Sequence, residues 1–255
     1  MAKFFDLFSK KKHQQSTEWG QISERILTYK RTAWIPRVME RSSSPLSAKF
    51  SGEPALQIAE DWPKCNNCQQ PMQMFLQLNS ANLPAGAGKP FGDGLLQVFY
   101  CTNWEQECEV DCEAYNPFAK STLVRVLGFN VATRDAIMDS PVMDPFPEKE
   151  IIGWDAKDDY PNWEELDALG CSLTNEQFEL LAEDYPLPKD KLLGWPYWVQ
   201  AVEYPQCPEC GDRMAYIFQI DSEDNLPYMF GDSGCAHVTQ CKQHQHVLTI
   251  AWASC

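Results

Sequence analysis

Two stretches decide how this chain is read: residues 49–79, KFSGEPALQIAEDWPKCNNCQQPMQMFLQLN, and residues 191–221, KLLGWPYWVQAVEYPQCPECGDRMAYIFQID. Laid over one another without a gap, they put Cys207 142 positions after Cys65 and Cys210 142 positions after Cys68. In that register Lys49 meets Lys191, Gly52 meets Gly194, Pro54 meets Pro196, Trp62 meets Tyr204 and Pro63 meets Pro205. The match continues through Met72 with Met214, Gln77 with Gln219 and Leu78 with Ile220. Each copy then shows NLP, at 82–84 and 225–227, and FGDG or FGDSG from Phe91 and Phe230. A third cysteine closes both: LLQVFYC ends at Cys101 and CAHVTQC at Cys241. So many ordered matches predict an internally duplicated chain with two pseudo-two-fold halves.

Local structure follows from the same residues. MQMFLQL and MAYIFQI are short, apolar and aromatic or β-branched, and they start just after a Cys-x-x-Cys turn, as strands leaving a zinc knuckle do. NLP and the glycine pairs supply reversals, so each half reads as knuckle, strand, turn, strand, third cysteine. Two helices are predicted outside the repeats. One covers residues 17–34, with Ile22, Ile26, Leu27 and Tyr29 on one face and Pro36 as its stop. The other covers 172–184, capped by Thr174 or Asn175 and closed off by Pro186 and Pro188. The expected fold class is α+β, rich in antiparallel sheet. Its expected organisation is an N-terminal helical segment over 1–48, a first half over 49–135, an acidic linking segment over 136–190 and a second half over 191–255. Small halves with exposed strand edges predict one shared core.

The redox form of Cys-x-x-Cys sits at a helix start, where the dipole lowers a thiol pKa; here strands follow, and the repeated third cysteine favours metal. The first set is Cys65, Cys68 and Cys101 with Cys108 or Cys112, Cys108 having the shorter loop. The second is Cys207, Cys210 and Cys241 with His244, and His246 as its rival. Two full sets predict one or two structural Zn2+ ions, closed to water and substrate. Cys171, Cys235 and Cys255 have no counterpart and read as buried or incidental. Asp93 and Asp232, each directly after a glycine, read as turn formers, and Trp154, Trp163, Trp195 and Trp198 as core or as a binding face.

Composition narrows the function classes. The 255 residues are 44% hydrophobic, as a packed chain requires, and carry a formal charge of -15. That charge disfavours a phosphate-tracking surface and would attract a basic partner. The first 15 residues, with Phe4, Phe5, Leu7 and Phe8 before three lysines, are too short for a secretory core or membrane span; as an interfacial anchor they would need a second signal. The expected setting is the cytoplasm, where 11 cysteines stay reduced and serve metal better than disulfides. No Gly-rich phosphate loop, nucleophile elbow or metalloprotease helix occurs, and there are 4 histidines in all.

The second half, from KLLGWPYWVQ through CPECGDRMAYIFQID to FGDSGCAHVTQCKQH, resembles the YwqG-like family of unknown function, and the first half looks like the other part of the same family. The first half also resembles the N-terminal part of programmed cell death protein 2, whose knuckle, glutamine-bearing strand and cysteine-ended strand precede a basic strand like LVRVLGFN here. The resemblance implies metal at Cys65, Cys68, Cys101 and Cys108 and at Cys207, Cys210, Cys241 and His244. It also implies a binding role, since those relatives are similar to escorts of a newly made ribosomal protein. The expected function is thus a zinc-stabilised protein-binding module for another protein, a basic client, with no nucleic acid or membrane partner. A narrower version is an immunity protein neutralising a toxin. The enzymatic alternative is a zinc hydrolase in which His244 stays away from the second site and leaves a position open.

Overall fold

A computed structural model describes residues 20, 22, 24–41, 43–129 and 140–255. The Phe4 to Lys12 segment, His13 and part of the helix predicted over 17–34 lie outside them. The described residues form ten strands: β1 (Arg31–Glu40), β2 (Lys49–Phe50), β3 (Gln73–Asn79), β4 (Leu95–Tyr100), β5 (Thr122–Leu127), β6 (Lys149–Asp159), β7 (Lys191–Leu193), β8 (Ala215–Asp221), β9 (Cys235–Gln240) and β10 (Leu248–Ala253). Residues 24–26 are α-helical and run into a 3-10 turn at Leu27–Tyr29, and further short α-helices accompany the strands: α1 (Cys108–Asp111), α2 (Trp163–Ala168) and α3 (Asn175–Ala182). None of these helices is long and apolar enough to cross a membrane.

All ten strands join one sheet in the order β10-β9-β8-β7-β1-β6-β2-β3-β4-β5, and every pairing is antiparallel. The central pair β1–β6 is flanked by β2 to β5 on one side and β7 to β10 on the other. Registers correspond as well: Lys49 faces Gln77 and Lys191 faces Gln219. Each long strand after a knuckle carries a bulge at the same place, between Met74 and Leu76 and between Tyr216 and Phe218.

Buried glutamines set that correspondence. Gln77 Oε1 accepts the Ala55 N–H at 2.9 Å while its amide donates to the Ser47 carbonyl at 2.8 Å. Gln219 repeats this 142 positions on, accepting from Tyr197 at 2.7 Å and donating to the Lys189 carbonyl at 2.7 Å. Loop backbone that would lack partners is thereby satisfied inside the sheet. Gln219→Leu should lower stability by about 2 kcal/mol, because it strands both groups while keeping the volume. A urea midpoint that does not move would overturn this account.

The sheet curls until its edges β5 and β10 meet, giving a near-barrel. The Phe118 N–H donates to Thr249 Oγ1 at 2.7 Å and the Trp252 N–H to the Tyr115 carbonyl at 3.2 Å, linking the two halves at this closure. Inside, aromatic rings from both halves interleave, with Phe75 and Phe230 at 6.0 Å and Phe50 and Phe218 at 6.1 Å between centroids. The core is shared, as expected from the small size of each half.

Two expectations need correction. The helix predicted through residue 34 gives way before Arg31, where β1 begins. Thr32, Trp34, Ile35 and Val38 fit a pleated surface, and Pro36 is tolerated because β7 meets β1 only at Ala33 and Trp34, leaving open edge beyond. The acidic segment 136–190 is more than a linker, since it contributes β6, an 11-residue strand at the sheet centre. Its helix α3 starts as predicted, Thr174 and Gln177 forming a reciprocal capping box.

The ends of the β6 region neutralise two buried lysines. Lys191 Nζ lies 2.9 Å from Asp159 with both side chains fully enclosed, and Lys49 Nζ lies 3.6 Å from Glu148.

Candidate metal centres

Each knuckle is a tight reversal held by matching backbone bonds. The Cys65 N–H donates to the Gln70 carbonyl and the Gln69 N–H to the Cys65 carbonyl; Cys207, Asp212 and Gly211 repeat the pattern. The turn requires positive φ at its fifth residue, 62° at Gln69 and 76° at Gly211, so glycine occupies one copy and the other holds a strained residue. Both thiols of each pair therefore point the same way.

Long-range pairing then delivers the third and fourth groups. Cys101 follows β4 and Cys108 opens α1; in the other half Cys241 follows β9 and His244 lies three residues on. The ligand atoms of Cys65, Cys68, Cys101 and Cys108 all lie within 4.8 Å of one another, as do those of Cys207, Cys210, Cys241 and His244. Pair distances are 4.0 Å for Cys65–Cys108, 3.6 Å for Cys68–Cys101, 3.7 Å for Cys210–Cys241 and 3.5 Å from Cys207 Sγ to His244 Nδ1. Four sulfurs at about 2.3 Å from a tetrahedral ion stand about 3.8 Å apart. Both sets fit that requirement and could hold a metal ion.

The rivals stand elsewhere. Cys112 lies one helical turn past Cys108, its N–H donating to the Cys108 carbonyl at 3.2 Å. His246 is 72% exposed and its Nε2 sits 2.6 Å from Glu209 Oε1.

Surrounding polar groups orient the sets, as supporting shells do around metal ligands. Asn67 donates its backbone N–H to Cys65 Sγ and its side-chain amide to Cys108 Sγ, both at 3.4 Å. The His244 N–H donates to Cys241 Sγ at 3.3 Å, and Glu209 stands 3.5 Å from His244 Nε2. Sequence reasoning passed over Asn67 and Glu209, although each lies between the two cysteines of its knuckle.

Burial pushes the Cys108 thiol up to about 11 and raises Cys101 too. Burial acts in the same sense on Cys68, but the Gln70 N–H and bonds with the other thiols hold it below its usual value. The His244 N–H lowers Cys241. A cation entering such a set must displace protons, so occupancy falls as pH falls.

The remaining cysteines are not gathered into these sets. Cys235 is buried against His237, Sγ to Nε2 3.8 Å, and burial raises the thiol while pulling the imidazole down to about 3. Both are neutral at pH 7, and an enclosed neutral thiol is a poor nucleophile.

With the fold and both clusters in view, comparison with known families places the chain. The profile of DUF1963, described as a domain of unknown function, matches residues 48–243. The chain belongs to the DUF1963 family. The DUF1963 match takes in both knuckles and stops one residue before His244. Among curated proteins, an uncharacterized protein YpfL from Salmonella typhimurium is 24% identical over 169 residues, covering 66% of this chain and 34% of that protein. The chain thus spans about a third of the length of the curated relative it matches.

Proposed function

We propose that this DUF1963 chain is a zinc-stabilised protein-binding module for a basic client, built by internal duplication. Zinc is favoured because thiolates predominate and the spacing is tetrahedral. His244 takes the fourth place in the second set, which supports a structural ion over one with an open position for water. The 142-residue register of bulges and buried glutamines supports the duplication, with copies that start at Lys49 and Lys191. All 11 cysteines are unpaired, which fits a reducing cytoplasm.

The observation that carries the binding role is the segment after Cys101. There Trp104 is 78% and Val110 70% exposed, amid exposed Glu105, Glu107, Asp111 and Glu113. Large apolar groups left in water on an acidic ridge suit a partner that is basic and partly apolar. Cys101 and Cys108 hold that ridge in place through the first metal site. The resemblance to the N-terminal part of programmed cell death protein 2 supports the same reading, and an immunity protein against a basic toxin is its narrower form.

The test is capture from a lysate of the source organism by the metal-loaded chain, set against a Trp104→Ser/Val110→Ser variant. A basic protein retained by the wild type, released by roughly 0.5 M salt and lost from the variant is expected. Equal retention by both would remove the ridge from the function, and absence of any basic protein would end the client reading.

A further inference from the structure

A cleft of about 900 Å³ lies between the start of β1, the β7–β8 pair and α2, beside the second metal cluster. That volume falls in the range of small-molecule sites. Two guanidinium groups line it, each laid on an aromatic face: Arg31 is 3.3 Å from the Trp195 ring centroid and Arg213 is 3.3 Å from that of Tyr204. Stacking fixes a guanidinium plane while leaving its in-plane N–H groups to point outward.

Charge in the cleft runs against the chain as a whole. Against a net charge of -15 it collects Arg31, Arg213 and Lys242, opposed by Glu164 and Glu165. Both carboxylates already serve protein donors. Glu165 accepts from the Tyr204 hydroxyl at 2.6 Å and from Arg213 at 3.1 Å; Glu164 accepts the Val202 N–H at 3.1 Å. Among the described residues Arg31 and Lys242 have no ion-pair partner. Partial desolvation over the enclosed Trp195 face draws the Arg31 pKa below its ordinary value against the pull of Tyr204, Glu165 and Asp159, while the side chain stays exposed at the rim of the cleft. The Trp34 indole N–H in the same wall is buried without an acceptor.

The other half lacks this arrangement. The positions 142 before Trp195, Tyr204 and Arg213 are Glu53, Trp62 and Pro71, so the cations were not required by the shared scaffold. The second cluster also holds two of them in place, since Arg213 follows Cys210 by three residues and Lys242 adjoins Cys241.

We propose that this cleft binds a small organic anion, a carboxylate or a phosphate on a flat apolar body, recognised by Arg31 and Arg213. The site does not depend on the client-binding ridge, which lies beside the first cluster. The fork of each guanidinium matches either oxyanion, and the aromatic walls suit the flat body.

The experiment titrates the metal-loaded full chain with phenyl phosphate, benzoate and neutral benzamide, following the arginine Nε–H resonances by NMR. Saturating shifts of Arg31 and Arg213 with one or both anions by roughly 10 mM, and none with benzamide, are expected. The anion giving the tighter curve identifies the oxyanion class. Arg31→Gln and Arg213→Gln should each weaken binding about tenfold. Because Arg213→Gln also unpairs Glu165, Arg31→Lys serves as the gentler variant: it keeps the charge, loses the fork and should weaken binding as well. Equal binding of benzamide, undiminished binding by the arginine variants, or no saturating shift with either anion would overturn the proposal.

Discussion

Cys65→Ser is expected to halve the metal content of the purified chain, from two zinc equivalents to one, and Cys207→Ser to do the same at the other end. Each substitution removes one thiolate from a set of four whose atoms already stand at tetrahedral spacing. Apparent binding energies of structural zinc run to about 10–16 kcal/mol, so loss of a ligand should cost several kcal/mol of stability. The apolar groups around the sites cannot compensate. The first is backed by Met72, Met74 and Phe99 and the second by Met214 and Val247, clusters too small to hold the knuckle loops alone. Elemental mass spectrometry on protein purified without chelator, paired with thermal melts, measures both effects. Cys112→Ser and His246→Gln are the controls, and both should keep two equivalents. Metal-free wild type, or substitutions that leave its content unchanged, would reduce the knuckles to packing.

Asp159→Ala should be the most damaging change away from the clusters. Asp159 ends β6 and receives four donors: Lys191 Nζ at 2.9 Å and the backbone N–H groups of Tyr160, Leu187 and Trp195 at 3.0, 2.8 and 2.8 Å. Truncation leaves the enclosed Lys191 ammonium facing no counter-charge, a loss of about 3–5 kcal/mol. In a chain of this size that corresponds to a melting shift of about 2–4 °C for each kcal/mol. The double variant Asp159→Leu/Lys191→Met should be milder than Asp159→Ala, since it removes both charges. Lys30 and Asp158, one residue away, give the contrast: their side chains are 41% and 57% exposed, and breaking that pair should cost under about 1 kcal/mol. If the double variant proves as unstable as the single one, the backbone bonds to Asp159 carry the effect and the buried pair does not.

Much of the first expectation was legible in the sequence. Cys65 and Cys68, like Cys207 and Cys210, announce themselves because a knuckle is local, and Cys101 and Cys241 because they recur in register. The fourth ligands were narrowed but left open, since Cys108 and Cys112 stand about one helical turn apart and His244 and His246 two residues apart. The second expectation was not legible. β6 mixes Lys149, Glu150, Asp155, Lys157 and Asp158 with Ile151 and Trp154 and shows no clean alternation, so its charged residues read as a solvated linker. β1 was hidden likewise by helix-like spacing running into Pro36.

The sequence by itself determined the two knuckles, their repeated third cysteine, the order of strands within each half and the acidic character, because each rests on spacing or composition along a short stretch. Only the tertiary structure decided that β1 and β6 join the halves into one near-barrel, that Cys108 and His244 stand with the knuckle thiols in groups that could hold a metal ion, and that Arg31 comes to lie on Trp195, 164 positions away. The physical reason is one of range. Turn geometry and metal-ligand spacing act between neighbours in the chain, whereas a strand with no period of its own takes its place from the partners on either side.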